Sequence, residues 1–249
     1  SETVGSATQT VHQTALITFN GTNDAPVISA VTGTSGSITE DSATTTTSGT
    51  LTASDVDAGS HLAWSIANTV GTYGSVAIDA DSGQWTYTID NHRAATQGLA
   101  GGQSGSETFT ITVTDEHGAT ATQTLTIAVA GTNDGAVISG VDSGTTTEDA
   151  SQVVSGQLTV SDTDNGEAHF NAQIDTAGIY GSFNLDTDGL WAYQLDNNKP
   201  EVQALKTGQH VTDTFTVTSA DGTTHQVIVT IAGKDDGAMI GGADQGTVT

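Results

Sequence analysis

An all-β protein built as tandem β-sandwich repeats is predicted by three features of the chain. Apolar residues alternate with period two, turn-forming residues separate the alternating runs, and long segments recur in the same order. Gly-Thr-Asn-Asp stands at 21–24 and again at 131–134, and a decayed copy, Gly-Lys-Asp-Asp, stands at 233–236. The marks lie 110 and 102 residues apart. The expected organisation is a terminal strand and linker of a preceding repeat (1–24), a first full repeat (25–134), a second (135–236) and the start of another (237–249). The chain then reads as an excerpt from a longer array.

The elements follow in order. A lone terminal strand is expected at 12–20, "HQTALITFN". Thr-Glu-Asp at 39–41 answers Thr-Glu-Asp at 147–149, and "SGTLTASDVDAG" at 48–59 answers "SGQLTVSDTDNG" at 155–166. Next come two matched hairpins. In their second strands Trp85, Tyr87 and Ile89 correspond to Trp191, Tyr193 and Leu195. The carboxylates Asp79, Asp81, Asp186 and Asp188 fall at the hairpin bends, where turn chemistry explains them. A short helix is expected within 199–208, with Pro200 at its start and Gly208 past its end. "FTITVTD" at 109–115 answers "FTVTSAD" at 215–221, with Glu116 and His117 read as an insertion. Leu125/Ile127/Val129 and Val227/Val229/Ile231 then close each copy. About seven short strands in about 100 residues make an immunoglobulin-like sandwich.

Composition narrows the function. The chain carries 29 acidic residues against 4 basic ones, a net charge of −25. That excludes general binding to nucleic-acid backbones and docking on anionic membranes. Without cysteine, neither disulfides nor thiolate metal sites hold the fold. No run approaches the roughly 18 apolar residues of a membrane span. Leu, Ile, Val and Phe make up about a fifth of the residues, which is close to the composition of disordered chains. Something besides core size has to hold such repeats together.

The carboxylates suggest what that is. In an up-and-down sandwich, the loop after the second strand and the loop before the last strand return to the end where the chain enters. Asp55, Asp57 and Asp115 therefore converge with Asn23 and Asp24 of the entering linker. Asp162, Asp164 and Asp221 do the same with Asn133 and Asp134. Asp, Asn and Gly are also ordinary turn formers, but a converging set has to contend with repulsion. At about 4 Å and an effective dielectric near 20, each like-charged pair costs roughly 4 kcal/mol. Ca²⁺ is the expected partner, because it takes several oxygen ligands in irregular geometry whereas Mg²⁺ demands a stricter octahedron. The seven histidines show no spacing suited to zinc.

These motifs, "GTNDAPVIS", "TED", "GTLTASDVDAG" and "FTITVTDEHGA", resemble the VCBS repeat of large bacterial surface adhesins of RTX type. More distantly they are similar to cadherin repeats. The resemblance implies a secreted, extracellular, calcium-binding protein of the bacterial cell surface, exported by type I secretion and acting in adhesion and biofilm formation. Its partners would be the neighbouring repeats of the same chain, joined through calcium. The cadherin pattern adds lower-end ligands, Glu40 and Asp90 in the first repeat with Glu148 and Asp196 as their counterparts in the second, and Asp41 and Asp149 as extras. It would also place a carboxylate where this chain has Gly131. Direct binding of glycan or protein, including self-association, is the alternative, with Trp64, Trp85 or Trp191 as stacking platforms. No enzyme is expected: the histidines do not recur as a set, and a repeat of this size shows no evident cleft.

Overall fold

The computed structural model describes residues 5, 13–29, 32–151, 153–238 and 240–241. The first repeat comprises β1 (Val27–Ile28), β2 (Ser35–Thr39), β3 (Thr46–Thr50), β4 (Ala53–Ser54), β5 (Ala63–Ile66), β6 (Gly74–Ile78), β7 (Gln84–Ile89), α1 (Ala94–Gln97), β8 (Ser104–Thr114) and β9 (Thr120–Ala130). The second comprises β10 (Val137–Gly140), β11 (Ser143–Thr147), β12 (Val154–Ser161), β13 (Gln173–Ala177), β14 (Gly181–Leu185), β15 (Leu190–Leu195), α2 (Pro200–Gln203), β16 (His210–Thr218) and β17 (Thr224–Ala232).

Each repeat is a sandwich of two layers. In the first, β2-β9-β8-β5 forms one sheet and β3-β7-β6 the other, flanked by the short pair β1-β4. In the second, the sheets are β11-β17-β16 and β10-β12-β15-β14-β13. Pairing is antiparallel except where β2 and β11 run parallel to the last strand of their own repeat. That parallel register, Thr39 with Ala130 and Thr147 with Ala232, sets Glu40 and Glu148 beside the outgoing linker.

The alternation resolves into two cores. Phe109, Ile111, Val113, Leu125, Ile127 and Val129 point inward in the first, and Phe215, Val217, Val227, Val229 and Ile231 in the second. Trp85 and Trp191 are fully buried, and Trp64 is 6% exposed. None of the three offers a face to a sugar, so the stacking platforms of the alternative reading are absent. Behind each core lies a buried acid paired with a tyrosine. The Tyr87 hydroxyl donates to Glu107, and the Tyr193 hydroxyl donates to Asp213 at 2.7 Å.

Three expectations change. Residues 13–20 form no strand: Leu16 and Phe19 are 92% and 89% exposed, and no strand among the described residues pairs with their backbone. His12, the first residue of that expected strand, lies outside the described residues. At the other end, the expected start of a further repeat lies largely outside them, and 237, 238, 240 and 241 carry no regular structure. The helix within 199–208 shrinks to the single turn α2, and α1 matches it in the first repeat without a proline. Glu116 and His117 do not lengthen their loop, since 115–119 and 219–223 are equally long. Instead β8 and β9 have 11 residues each where β16 and β17 have 9.

Candidate metal centre

The linker between the repeats is gripped from both sides through its backbone. Thr132 N–H donates to Glu40 Oε1 at 3.0 Å, and Asp134 N–H donates to Asp164 Oδ2 at 2.9 Å. Asp164 N–H in turn donates to Asp162 Oδ1 at 2.9 Å, and Ala136 N–H to Asp221 Oδ2 at 3.0 Å. Asn165 adds a direct bridge: its N–H and its side-chain amide both reach the carbonyl of Gly98, at 3.2 and 2.9 Å. The two repeats therefore touch through protein atoms as well as through the acidic cluster.

Glu40 is 1% exposed and Asp164 2%. Each has one oxygen committed to the linker and one with no donor: Glu40 Oε2 and Asp164 Oδ1 are buried and unpartnered, as are Asp162 Oδ2 and Glu167 Oε2. Leaving a buried polar group unpaired costs about 1–3 kcal/mol, more when it is charged. Burial raises the pKa of Glu40, opposed by the Thr132 N–H and reinforced by the negative charges of Asp41, Asp134 and Asp164. Burial likewise raises that of Asp134, with Asp41, Asp164 and Asp162 adding to it. Glu40 of the first repeat and Asp134 of the linker thus both feel the negative charge of Asp41 and of Asp164 in the second repeat.

The arrangement recurs at each end. Above the first repeat, Asp24 N–H donates to Asp57 Oδ2 at 2.8 Å and Asp57 N–H to Asp55 Oδ1 at 2.9 Å, leaving Asp55 Oδ2 buried without a donor. Below the second repeat, Lys234 N–H donates to Glu148 Oε2 at 2.9 Å, and Glu148 Oε1 has no donor. There the Lys234 ammonium lies 3.3 Å from Asp149.

Other expected residues are placed differently. Asp115 accepts His117 and Ala119 N–H on one oxygen and the Asn23 amide at 2.8 Å on the other. Asp221 accepts Ser219 and Thr223 donors in addition to Ala136. Both are fully hydrogen-bonded and hold their turns to the linkers. Asp90 is paired with Arg93 at 3.1 Å and accepts His92 N–H. The Asn23 and Asn133 amides each donate to the carbonyl of the following residue at 3.0 Å.

Sequence reasoning missed Glu167 and left Asp41 as an extra. The first repeat has Ser60 where the second has Glu167, so comparing the copies concealed it. Asp41 sits at φ 53° and Asp149 at φ 64°, and Asp tolerates this left-handed conformation. Gly131, where a further carboxylate was expected, has no room for one. A Cβ there would lie 2.1 Å from the carbonyl oxygen of Leu99.

The set is all oxygen, largely buried and short of positive charge, which suits a hard cation such as Ca²⁺ with its several oxygen ligands. Solved structures similar to the chain include three cadherin ectodomains. Protocadherin gamma B7 domains 1–4 share 19% identity at TM-score 0.48, covering 84% of this chain and 49% of that one. Protocadherin gamma B7 EC3-6 gives 15% and 0.49, covering 84% and 48%. Mouse cadherin-23 EC22-24 gives 16% and 0.44, covering 85% and 67%. The chain spans about half the length of the first of the solved structures it matches. No curated protein matches it. The family model of the bacterial cadherin-like domain matches twice, over residues 23–131 and 133–233. The chain belongs to the bacterial cadherin-like domain family, with two copies of that domain in tandem.

Proposed function

We propose that the chain is a run of calcium-stiffened extender repeats, bounded at 25–134 and 135–236, in an extracellular bacterial adhesin. The observation that carries this reading is the set of buried, donor-less carboxylate oxygens on residues that grip or flank the linker: Glu40 Oε2, Asp162 Oδ2 and Asp164 Oδ1. Asp41 and Asp134 add negative charge beside Glu40. A bound divalent cation supplies the positive charge these groups lack. Glu40 and Asp41 would anchor it to the first sandwich, Asp134 to the linker, and Asp162 and Asp164 to the second. Asp24, Asp55 and Asp57 form the matching upper half-site. Such a joint resists bending, because opening it would separate ligands that belong to different sandwiches.

The working environment follows from affinity. Extracellular calcium modules bind with dissociation constants of about 10⁻⁴–10⁻³ M, so the joints would be empty in the cytosol and filled outside. The repeated Gly-Thr-Asn-Asp and Thr-Glu-Asp motifs support a VCBS-type adhesin of the RTX class, exported by type I secretion and contributing to biofilm. The test is thermal unfolding and small-angle X-ray scattering of the chain, with chelator and with millimolar Ca²⁺. Millimolar Ca²⁺ is about one to ten times such a dissociation constant and should stabilise the fold by about 0.4–1.4 kcal/mol per site. A higher Tm and a narrower distribution of lengths with Ca²⁺ are expected. Identical curves in the two buffers would overturn the proposal.

A further inference from the structure

The two ends at which the chain enters a sandwich are not equivalent. In the second repeat Asp162, Asp164 and Glu167 each place a carboxylate oxygen within 4.8 Å of the others. Among the described residues they are the one group of three potential ligands so close together. All three come from a single loop between β12 and β13, whereas Glu40 and Asp134 come from the other sandwich and the linker. The loop holds its own shape. Asp164 N–H is tied to Asp162 Oδ1, Glu167 N–H reaches the Asp164 carbonyl at 3.3 Å, and His169 N–H reaches the Glu167 carbonyl at 2.7 Å. One oxygen of each carboxylate is buried without a donor, and Asp164 as a whole is 2% exposed.

The first repeat lacks this third carboxylate. Asp55 and Asp57 keep their places, but Ser60 stands where the second repeat has Glu167. Glu116, which reaches the same loop from the β8–β9 turn, accepts His61 N–H at 2.9 Å. Of the four carboxyl oxygens of Asp55 and Asp57, one, Asp55 Oδ2, is buried without a donor.

We propose that Glu167 makes the second repeat's loop a self-contained divalent-cation site, tighter than its counterpart in the first repeat and filled before the joint closes on it. This rests on the calcium reading above and gives it an order of events. A cation held by Asp162, Asp164 and Glu167 presents a positive charge to Asp134 and Glu40, which then close from the linker and the first sandwich. Calcium affinity rises with the charge contributed by the ligands, so the loop with three carboxylates fills at lower concentration than the loop with two.

Isothermal titration of Ca²⁺ into the whole chain tests this, with Glu167→Gln and Glu40→Gln as paired variants and circular dichroism in chelator confirming that both fold. The wild type should show a tight class of site. Glu167→Gln should weaken that class on the order of tenfold, and Glu40→Gln should weaken it less, since Glu40 joins the cation only as the joint closes. An unchanged tight class in Glu167→Gln would overturn the proposal. So would a loss in Glu40→Gln equal to that in Glu167→Gln, because the tight site would then belong to the joint as a whole. If Asp164→Asn abolishes binding while Glu167→Gln does not, the calcium joint stands without Glu167. A wild-type chain that binds no calcium removes both.

Discussion

At the residue scale, each sandwich is organised around an indole resting on a glycine. Trp191 donates its ring N–H to the Val141 carbonyl at 2.6 Å, and Trp85 donates to Gly33 at 2.7 Å. A Cβ added at Gly156 would lie 2.6 Å from the Trp191 ring, and one at Gly49 would lie 2.7 Å from Trp85. Gly156→Ala should therefore overpack the core and cost about 1–3 kcal/mol, read as a lower denaturant midpoint with an unchanged slope. The tyrosine beside each core acid makes a second prediction. Asp213, 3% exposed, accepts Ile179, Tyr180 and Gly181 N–H groups as well as the Tyr193 hydroxyl. Tyr193→Phe removes one donor and should cost about 1–3 kcal/mol. Burial first, then the hydrogen bond to Asp213, raise the pKa of Tyr193. A raised pKa in the folded state gives stability that is present below the unfolded value and lost as pH rises through the folded one. The wild type should lose stability above about pH 10, the ordinary tyrosine value, and Tyr193→Phe should flatten that loss.

At the scale of elements, the linker is positioned by backbone contacts more than by its side chains. Gly131 runs against the carbonyls of Leu99 and Ala100, so the segment after α1 acts as a floor for the joint. Gly131→Asp adds the carboxylate that a cadherin-like pattern would supply, yet it should weaken the joint. The expected readout is a lower calcium affinity and a lower Tm than wild type, whereas tighter binding would contradict the clash. The sequence revealed the sandwiches because alternation such as Phe109/Ile111/Val113 is a direct imprint of one buried face. It revealed the convergence of Asp134, Asp162 and Asp164 because a repeated motif fixes which loops share an end. The pairing of Asp90 with Arg93 was not legible, because it is set by the local turn before α1 and not by the repeat pattern. Asp115 and Asp221 were legible as residues of the entering end. Their hydrogen bonds to the turns were not, since these depend on a hairpin length that differs between copies. Glu167 was invisible because the comparison of copies rewards what recurs, and this residue does not.

At the scale of the whole molecule, a net charge of −25 makes the metal-free chain its own opponent. Protons and cations should then act as alternatives at the same groups. The carboxyls of Glu40, Asp134 and Glu167 are all raised, burial being the largest cause in each and neighbouring carboxylates adding to it. A raised folded-state value means that the folded chain holds the proton more tightly than the unfolded one. The stability each contributes is complete below the ordinary carboxyl range and is lost as pH rises through the raised value. Asp115 is lowered, first by the Asn23 amide. At Asp221 burial opposes, but the Ala136, Ser219 and Thr223 donors together outweigh it and lower the pKa. Their contribution is retained until pH falls below the ordinary aspartate value near 3.9. Without calcium, Tm should therefore climb as pH falls from about 7 towards about 4.5 and drop again in stronger acid, when the lowered carboxylates protonate. General self-repulsion predicts the same rise, so two controls separate the causes. Added monovalent salt screens distant charges, with a Debye length of about 10 Å at 0.1 M, and should remove the diffuse part of the slope. Glu40→Gln should remove a part that salt leaves behind, because that charge is buried at the joint. In millimolar Ca²⁺ a bound cation would replace the proton at these groups, and the optimum should move to neutral pH. A calcium-free Tm that is flat between pH 5 and 7, or a slope that Glu40→Gln leaves unchanged in high salt, would show that the joint carboxylates do not act as a unit.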